Sequence, residues 1–369
     1  MKPLVALILL PFLSAGSPVS SNALPDDSCA VPGKNWKTLP VEASGWSNDK
    51  LSLAHQYSDS IHSAGVMIVQ DGKVVAQWGD VDKKITTFSV RKSLLSALYG
   101  VYAGRSKINV NATLEQLNIN DSPDPLTTAE RQARVVDLLR ARSGVYHPAS
   151  FEVDFQKKMR PARGSHPPGT FWFYNNWDYN ALGTIFEQQA KHTIGDAFAH
   201  DIAAPLHMQD FRANDVYYIG GPESIHRAFM FEMTARDMAR FGQLYLCHGH
   251  WGTSQIIPRD WVEKSSHADE MVRFGKMPLG GYEYLWWIEH DGTLLGGGAT
   301  LPGMFAAEGA GGHYILVVPS RDMVIAYQFD NEPQQKNRQG VLAATPKGIH
   351  DDAFGHLVRL ILDAAPPAA

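Results

Sequence analysis

Short apolar runs rich in β-branched residues stand near the two ends of this chain, and helix-patterned sequence fills the interval between them. Near the start, Val66-Met67-Ile68-Val69-Gln70 and Lys73-Val74-Val75-Ala76-Gln77-Trp78 flank Asp71-Gly72. Asp-Gly between two such runs predicts a tight hairpin, because glycine accepts positive φ at little cost. In the last quarter, Tyr284–Glu289, Pro302–Ala307, Tyr314–Val318 and Met323–Gln328 read as strands bounded by Gly, Pro or Asp. Helices are expected at 47–62, 89–104, 127–141, 178–191, 194–204 and 233–247. A last one is expected at 352–364, where Phe354, Leu357, Leu360, Ile361 and Leu362 form an apolar stripe. This order predicts an α/β (α+β) fold. Segments 47–85 and 280–369 would share one antiparallel sheet flanked by helices, with a mostly helical domain, 86–279, inserted between them.

Composition bounds what such a fold can do. Apolar residues make up 44%, including 9 Trp, 16 Phe and 13 Tyr, which is enough for a large core. The net charge is −5 and no basic run stands out, so a nucleic-acid-binding surface is not expected. Residues 1–23 read as a secretory signal: Lys2, a short apolar run from Leu4 to Leu13, and Ser21-Asn22-Ala23 with small residues before the cleavage point. That run is shorter than a membrane span, and no later segment is long and apolar enough to be one. The mature chain is therefore expected to be secreted or periplasmic and free of the membrane, starting with a loop segment, 24–46. The two remaining cysteines, Cys29 and Cys247, allow one disulfide or two separate thiols.

The chemistry centres on Ser89-Val90-Arg91-Lys92. Ser89 falls where a polar stretch ends and a helix begins that is apolar almost all round, through Val90, Leu94, Leu95, Leu98, Val101 and Tyr102. Such a helix should be buried. Serine at i and lysine at i+3 share a helical face, and a buried lysine loses its charge readily. A neutral amine beside a hydroxyl is a competent general base. By contrast, the second such spacing, Ser47 to Lys50, reads as a plain helix cap. Two further elements follow. Tyr174-Asn175-Asn176 could relay a proton through Tyr174 and hold a substrate carbonyl through Asn176. The glycine-rich Glu308-Gly309-Ala310-Gly311-Gly312 lies at a strand, where glycine permits close backbone approach. A backbone N–H from Gly309 or Ala310, with that of Ser89, could form an oxyanion hole.

Taken together and in order, these pieces resemble the serine β-lactamase and penicillin-recognising superfamily, in its branch with class C β-lactamases, family VIII esterases and 6-aminohexanoate-dimer hydrolases. Leu138-Leu139-Arg140-Ala141-Arg142-Ser143-Gly144 and Thr234-Ala235-Arg236-Asp237-Met238-Ala239-Arg240-Phe241-Gly242 support the resemblance, which runs from about residue 60 to 330. It implies a β-lactamase/transpeptidase-like fold, Ser89 as acylated nucleophile, and Lys92 and Tyr174 sharing the acid–base work, with no metal or organic cofactor. Either Lys92 or Tyr174 could take the first proton. The chain departs from the pattern where β-lactamases carry Lys-Thr-Gly: here Ala307-Glu308-Gly309 stands instead. The missing lysine, and an acid that would repel a carboxylate, favour a small ester or short amide as substrate. A β-lactamase, a D,D-peptidase, or a non-catalytic peptide-binding module are the alternatives.

Other candidates carry less. His147 and His226 lie in loops that could border a cleft, and His147 is the one expected to touch substrate. Cys247-His248-Gly249-His250 lacks a second ligand cluster for a metal and reads as a solvated turn. His350-Asp351-Asp352 reads as an acidic helix start, and Gly296-Gly297-Gly298 lacks the Lys-Ser/Thr of a phosphate loop. Nothing in the sequence bears on oligomeric state.

Overall fold

A computed structural model describes residues 29–297, 299–331 and 350–367. The expected signal at 1–23, the first residues of the 24–46 loop segment, Gly298 and the end of the Pro/Ala tail lie outside the described residues. Helix α1 (Asn48–Ser60) starts at Ser47, whose hydroxyl accepts from the Lys50 N–H at 3.4 Å, as a cap should. Strands β1 (Ser63–Gln70) and β2 (Lys73–Gly79) then form the hairpin, with Gln70 opposite Lys73. Asp71 and Gly72 both take positive φ, 49° and 65°, the turn that matches strand twist. After β3 (Ile85–Thr86) comes α2 (Val90–Gly104). The expected helix at 127–141 is instead a single 3-10 turn at Glu130–Gln132 and a short α3 (Val135–Leu139). The cause is local. Leu114 donates its N–H to the Ala133 carbonyl, and the Asp137 carboxylate takes the Arg134 N–H, so 133–134 stays extended.

The middle continues with α4 (Asp154–Met159), α5 (Asn176–Ala190) and α6 (Ile194–Phe198), the last running on into a π turn at Ala199–Ala203. A hairpin that the helical reading of this region did not include follows, β4 (Val216–Gly221) and β5 (Ser224–Met233). The alternation of buried and exposed residues in the first half of β5 is a strand pattern, but residues 228–231 are continuously buried and apolar, which periodicity alone cannot assign. Helix α7 (Ala235–Leu246) is capped by the Thr234 hydroxyl. Beyond it lie the small hairpin β6 (His250–Trp251) and β7 (Ser254–Gln255), then α8 (Arg259–Ser266) and a second small hairpin, β8 (Arg273–Phe274) and β9 (Met277–Pro278). The chain closes with β10 (Gly281–Glu283), β11 (Trp286–Ile288), β12 (Phe305–Gly309), β13 (His313–Val318), β14 (Met323–Phe329) and α9 (Asp351–Ala364).

One antiparallel sheet of order β10-β11-β12-β13-β14-β1-β2 joins the early and late strands. The expected mixed fold with a shared sheet is what the chain adopts. Both faces are covered, and the period-two alternation of strands sorts side chains between them. Met67 and Val69 enter a core shared with α2, α5 and α7, while Val66 and Ile68 enter a second core under α1 and α9.

Cys29 and Cys247 are joined by a disulfide, with Cα atoms 5.4 Å apart and a separation of 218 positions in sequence. Cys247 is therefore a buried end of α7 rather than part of a solvated turn. The bridge works with Arg240, whose guanidinium donates to the carbonyls of Gly33, Lys34 and Leu206, and with Gln243, which donates to Ala30. Together they pin the N-terminal segment along α7. Because the bridge closes a long loop, Cys247→Ala, or reduction, should lower stability by about 2–5 kcal/mol in urea unfolding. An unchanged midpoint on adding reductant would show that the bridge does not form.

Candidate active site

Helix α2 begins beside the middle of the sheet, and every residue from Val90 to Tyr102 is buried. Ser89 is its N-cap, but the hydroxyl caps no backbone N–H, which leaves it for other work. The approach to Ser89 is held firmly. Ile85 and Thr86 pair with Met233 and Glu232 on β5, and Thr87 donates its N–H to the Phe231 carbonyl at 2.9 Å. Phe88 then takes a left-handed φ of 49°, an uncommon conformation for a bulky residue. Its ring is packed between those of Phe151 and His313.

From this cap three side chains converge. Lys92 Nζ stands 2.7 Å from Ser89 Oγ and 2.5 Å from the Tyr174 hydroxyl. It also lies over the rings of Tyr174 and Tyr179, 4.1 and 4.5 Å from their centroids. Lys92 is only 2% exposed, whereas Ser89 is partly open. Burial, then the neighbouring Arg91 charge, hold the Lys92 amine well below an ordinary lysine value, which favours its neutral form. Burial pushes the Tyr174 phenol up to about 12, against opposing pulls from a Ser89 hydrogen bond and Arg91. The arrangement is thus an amine whose charged form is disfavoured, held between a hydroxyl and a neutral phenol.

Arg91 is the feature that the sequence reading passed over. It is 1% exposed, and its Nε and Nη1 have no hydrogen-bond partner. Its guanidinium carbon sits 4.7 Å from the centroid of Phe229. Burial draws its pKa down to about 10, so it remains a cation beside Lys92. A charged residue inside an otherwise apolar helix was the available signal, since an unpaired buried charge is expensive to keep.

The third element approaches from the sheet. A Cβ placed on Gly309 would come within 2.3 Å of the Thr87 carbonyl oxygen, so only glycine lets the end of β12 lie against the segment before Ser89. This brings Gly309 against the segment that leads into Ser89. Along β12, Phe305 and Ala307 enter the core that α2 occupies, and Ala306 enters the other. Ala307 therefore stands on the α2 side with no charge, where the resemblance implies a lysine. Glu308 pairs opposite Tyr314 and senses Asp351 at the start of α9. Burial, then Asp351, push its carboxyl well above the usual range, so it is held toward the neutral acid. The expected repulsion of a substrate carboxylate by Glu308 is weakened accordingly.

Asn175 and Asn176 serve the frame. Asn175 caps α5 by accepting from the Trp177 N–H and donates to the Val145 carbonyl. Asn176 is 4% exposed and gives its amide hydrogens to the Phe151 carbonyl and Gln156, while its Oδ1 has no partner. His147 does not reach this cluster. It is 2% exposed and clasped 3.3 Å from each of Asp121 and Glu130, which leaves it no surface for a substrate. Burial alone would raise both carboxyls, but hydrogen bonds from His147, Trp177 and Ser224 hold Asp121 at about 2, and those from Arg163 and Thr127 do the same for Glu130. His226 is likewise buried, with Nδ1 3.0 Å from the Thr184 hydroxyl.

A family model described as Beta-lactamase matches residues 52–344. Among curated proteins, Protein flp of Staphylococcus aureus (strain COL) is 22% identical over 280 residues, 65% of this chain and 55% of that protein. The match thus spans about half the length of that relative. Among solved structures, a family VIII carboxylesterase superposes with a TM-score of 0.61 at 14% identity, covering 89% of this chain and 99% of that one. A penicillin-binding protein homolog from Caulobacter crescentus gives 0.60 at 14%, covering 87% and 99%. A Bacillus anthracis protein assigned provisionally as a 6-aminohexanoate-dimer hydrolase gives 0.57 at 19%, covering 84% and 80%. At these identities the structures speak for the fold.

The Lys92 environment has a stability consequence. A lysine charged in the unfolded chain but neutral when folded opposes folding at every pH below its unfolded value, and this cost vanishes as pH rises toward that value. Lys92→Met should therefore raise the Tm at pH 7, by about 1 kcal/mol of stability, with the gain shrinking toward pH 10. A Tm that falls, or a gain that does not depend on pH, would show that Lys92 is charged in the folded protein.

Proposed function

The chain belongs to the beta-lactamase family, within the superfamily of serine hydrolases that includes penicillin-binding proteins, and on that premise we propose that it is an exported hydrolase of small esters or short amides. The observation that carries the proposal is the placement of Lys92 Nζ between Ser89 Oγ and the Tyr174 hydroxyl. Ser89 Oγ attacks the substrate carbonyl, and its proton passes to the neutral Lys92 amine, the nearest base at 2.7 Å. The oxyanion is received by the backbone N–H groups of Ser89 and Ala310. The intermediate collapses as the leaving group takes a proton from Tyr174, whose phenol is replenished from Lys92 across 2.5 Å. Water then attacks the Ser89 ester, gives its proton to the same pair, and releases the acid as Ser89 is reprotonated.

Ala307 on the α2 side favours a substrate without the carboxylate that a lysine there would hold, and so an esterase over a β-lactamase or D,D-peptidase. Export is supported by the Cys29–Cys247 bridge, since such bonds persist in oxidising compartments.

Intact-mass analysis after incubation with p-nitrophenyl butyrate, a fluorophosphonate and a penicillin tests the proposal. A fluorophosphonate adduct and p-nitrophenol release, both lost in Ser89→Ala with turnover reduced around a millionfold, are expected. A lasting penicillin adduct without ester turnover would favour a penicillin-binding role, and no adduct on folded protein would favour a binding module. The pH profile adds a second test. Activity requires Lys92 as free amine, so kcat/KM falls as pH drops through its folded pKa. Arg91→Met removes a neighbouring positive charge, raises that pKa, and should move the acid limb to higher pH by about one unit. An unmoved limb would remove Arg91 from the electrostatics of the base.

A further inference from the structure

Three large apolar side chains exposed to solvent gather in one region, Phe155, Met159 and Met277, exposed by 50, 40 and 53%, while Phe171 stacks on His166. Phe155 and Met159 lie four residues apart on one face of α4. Met277 faces Phe274 across the β8–β9 hairpin, and the Phe155 ring is 5.3 Å from that of Phe274. Phe171 adjoins Trp172 in sequence.

This patch is continuous with the candidate active site through a series of rings. Trp172 lies 5.3 Å from Phe274 and 6.2 Å from Trp287. Trp287 in turn stacks on Tyr174, with centroids 5.4 Å apart and planes at 26°. Tyr174, Trp287 and Phe274 are each partly open. Within the series, Trp172 is buried, its indole N–H has no hydrogen-bond partner, and it links the partly open rings of Phe274 and Trp287 from beneath. Exposed apolar area that is contiguous, and that begins at a reactive group, marks a binding face.

We propose that the ring series from Tyr174 to Phe155 binds a long apolar arm of the substrate, so that the preferred ester or amide carries a medium-length acyl chain or an aryl group. The proposal rests on the hydrolase reading above and adds to it the chemical class of the substrate. Trp287 and Trp172 flank the arm close to the reacting carbonyl, and Phe274, Phe155 and Met277 cover its far end. Each methylene that leaves water along these rings strengthens transition-state binding.

The test compares p-nitrophenyl acetate, butyrate, octanoate and decanoate with wild type, Phe155→Ser/Met277→Ser, and Leu53→Ser, whose 55% exposed side chain lies on α1. Both altered positions are at the surface, so folding is checked simply by Tm. In the wild type kcat/KM should rise about twofold per methylene up to octanoate. The octanoate-to-acetate ratio should fall about tenfold in the double variant, mainly through KM, and stay at the wild-type value in Leu53→Ser. A wild-type ratio at or below one, or a ratio the double variant leaves intact, would overturn the apolar arm while fluorophosphonate labelling of Ser89 upholds the hydrolase. Absence of both labelling and acetate turnover would sink the hydrolase reading. Titration with decanoate, read by tryptophan fluorescence in wild type and double variant, then decides the apolar face: saturable quenching lost in the variant supports it, and none in either overturns it.

Discussion

The burial of α2 is the constraint on which the rest depends. A helix apolar around its whole circumference must be covered on every side, and here the sheet, α5, α7 and β5 do so. That enclosure is what strips water from Lys92 and disfavours its charged form beside Ser89. The hydrophobic effect that stabilises the fold and the chemistry of the site therefore share one cause. Burial of the apolar residues of α2 requires its polar ones to follow, and the fold bears that cost at the place where a neutral lysine is useful.

Arg91 sharpens the point. A guanidinium at 1% exposure with Nε and Nη1 unpartnered is poor bookkeeping for stability alone. Its charge disfavours a second cation at Lys92 and favours negative charge at Tyr174. Tyr179 and Tyr282 surround the same space with buried hydroxyls, and burial pushes both phenols up, so no anion forms there to cancel Arg91. The positive potential stays directed at the groups that must lose protons. Around this centre the frame is fixed by polar contacts of another kind. Asp121 and Glu130 grip His147 and thereby join the 120s loop to the loop after Ser143, while Asn175 caps α5 and ties it to the same loop. These groups hold Tyr174 in register with Ser89, which a catalytic arrangement needs to within a fraction of an ångström.

The motifs with chemistry were legible because each obeys a local rule. Ser89 and Lys92 meet through helix spacing, and Asp71-Gly72 turns through its own backbone. Tyr174 was found by its order after Ser89. Where local rules failed, a long-range partner decided. Residues 133–134 stay extended because Leu114 and Asp137 claim their backbone groups. Residues 228–231 of β5 are buried on both sides, which erases the alternation that identifies a strand. His147 looked available because sequence does not show that two carboxylates from elsewhere enclose it.

Local pattern in the chain is enough for the Ser89 helix, its lysine at i+3, the strand-rich ends and the mixed fold, since all of these follow from periodicity and residue chemistry within a few turns. Three-dimensional packing is needed to bring Cys29 to Cys247, to set Ala307 and not Glu308 on the α2 side, to leave Arg91 Nε and Nη1 without a hydrogen-bond partner among the described residues, and to put the rings from Tyr174 to Phe155 in successive contact. Each depends on which distant surfaces pack together and how much water remains between them, and pairing across such distances in sequence is set by the enclosure of the whole core rather than by any local pattern.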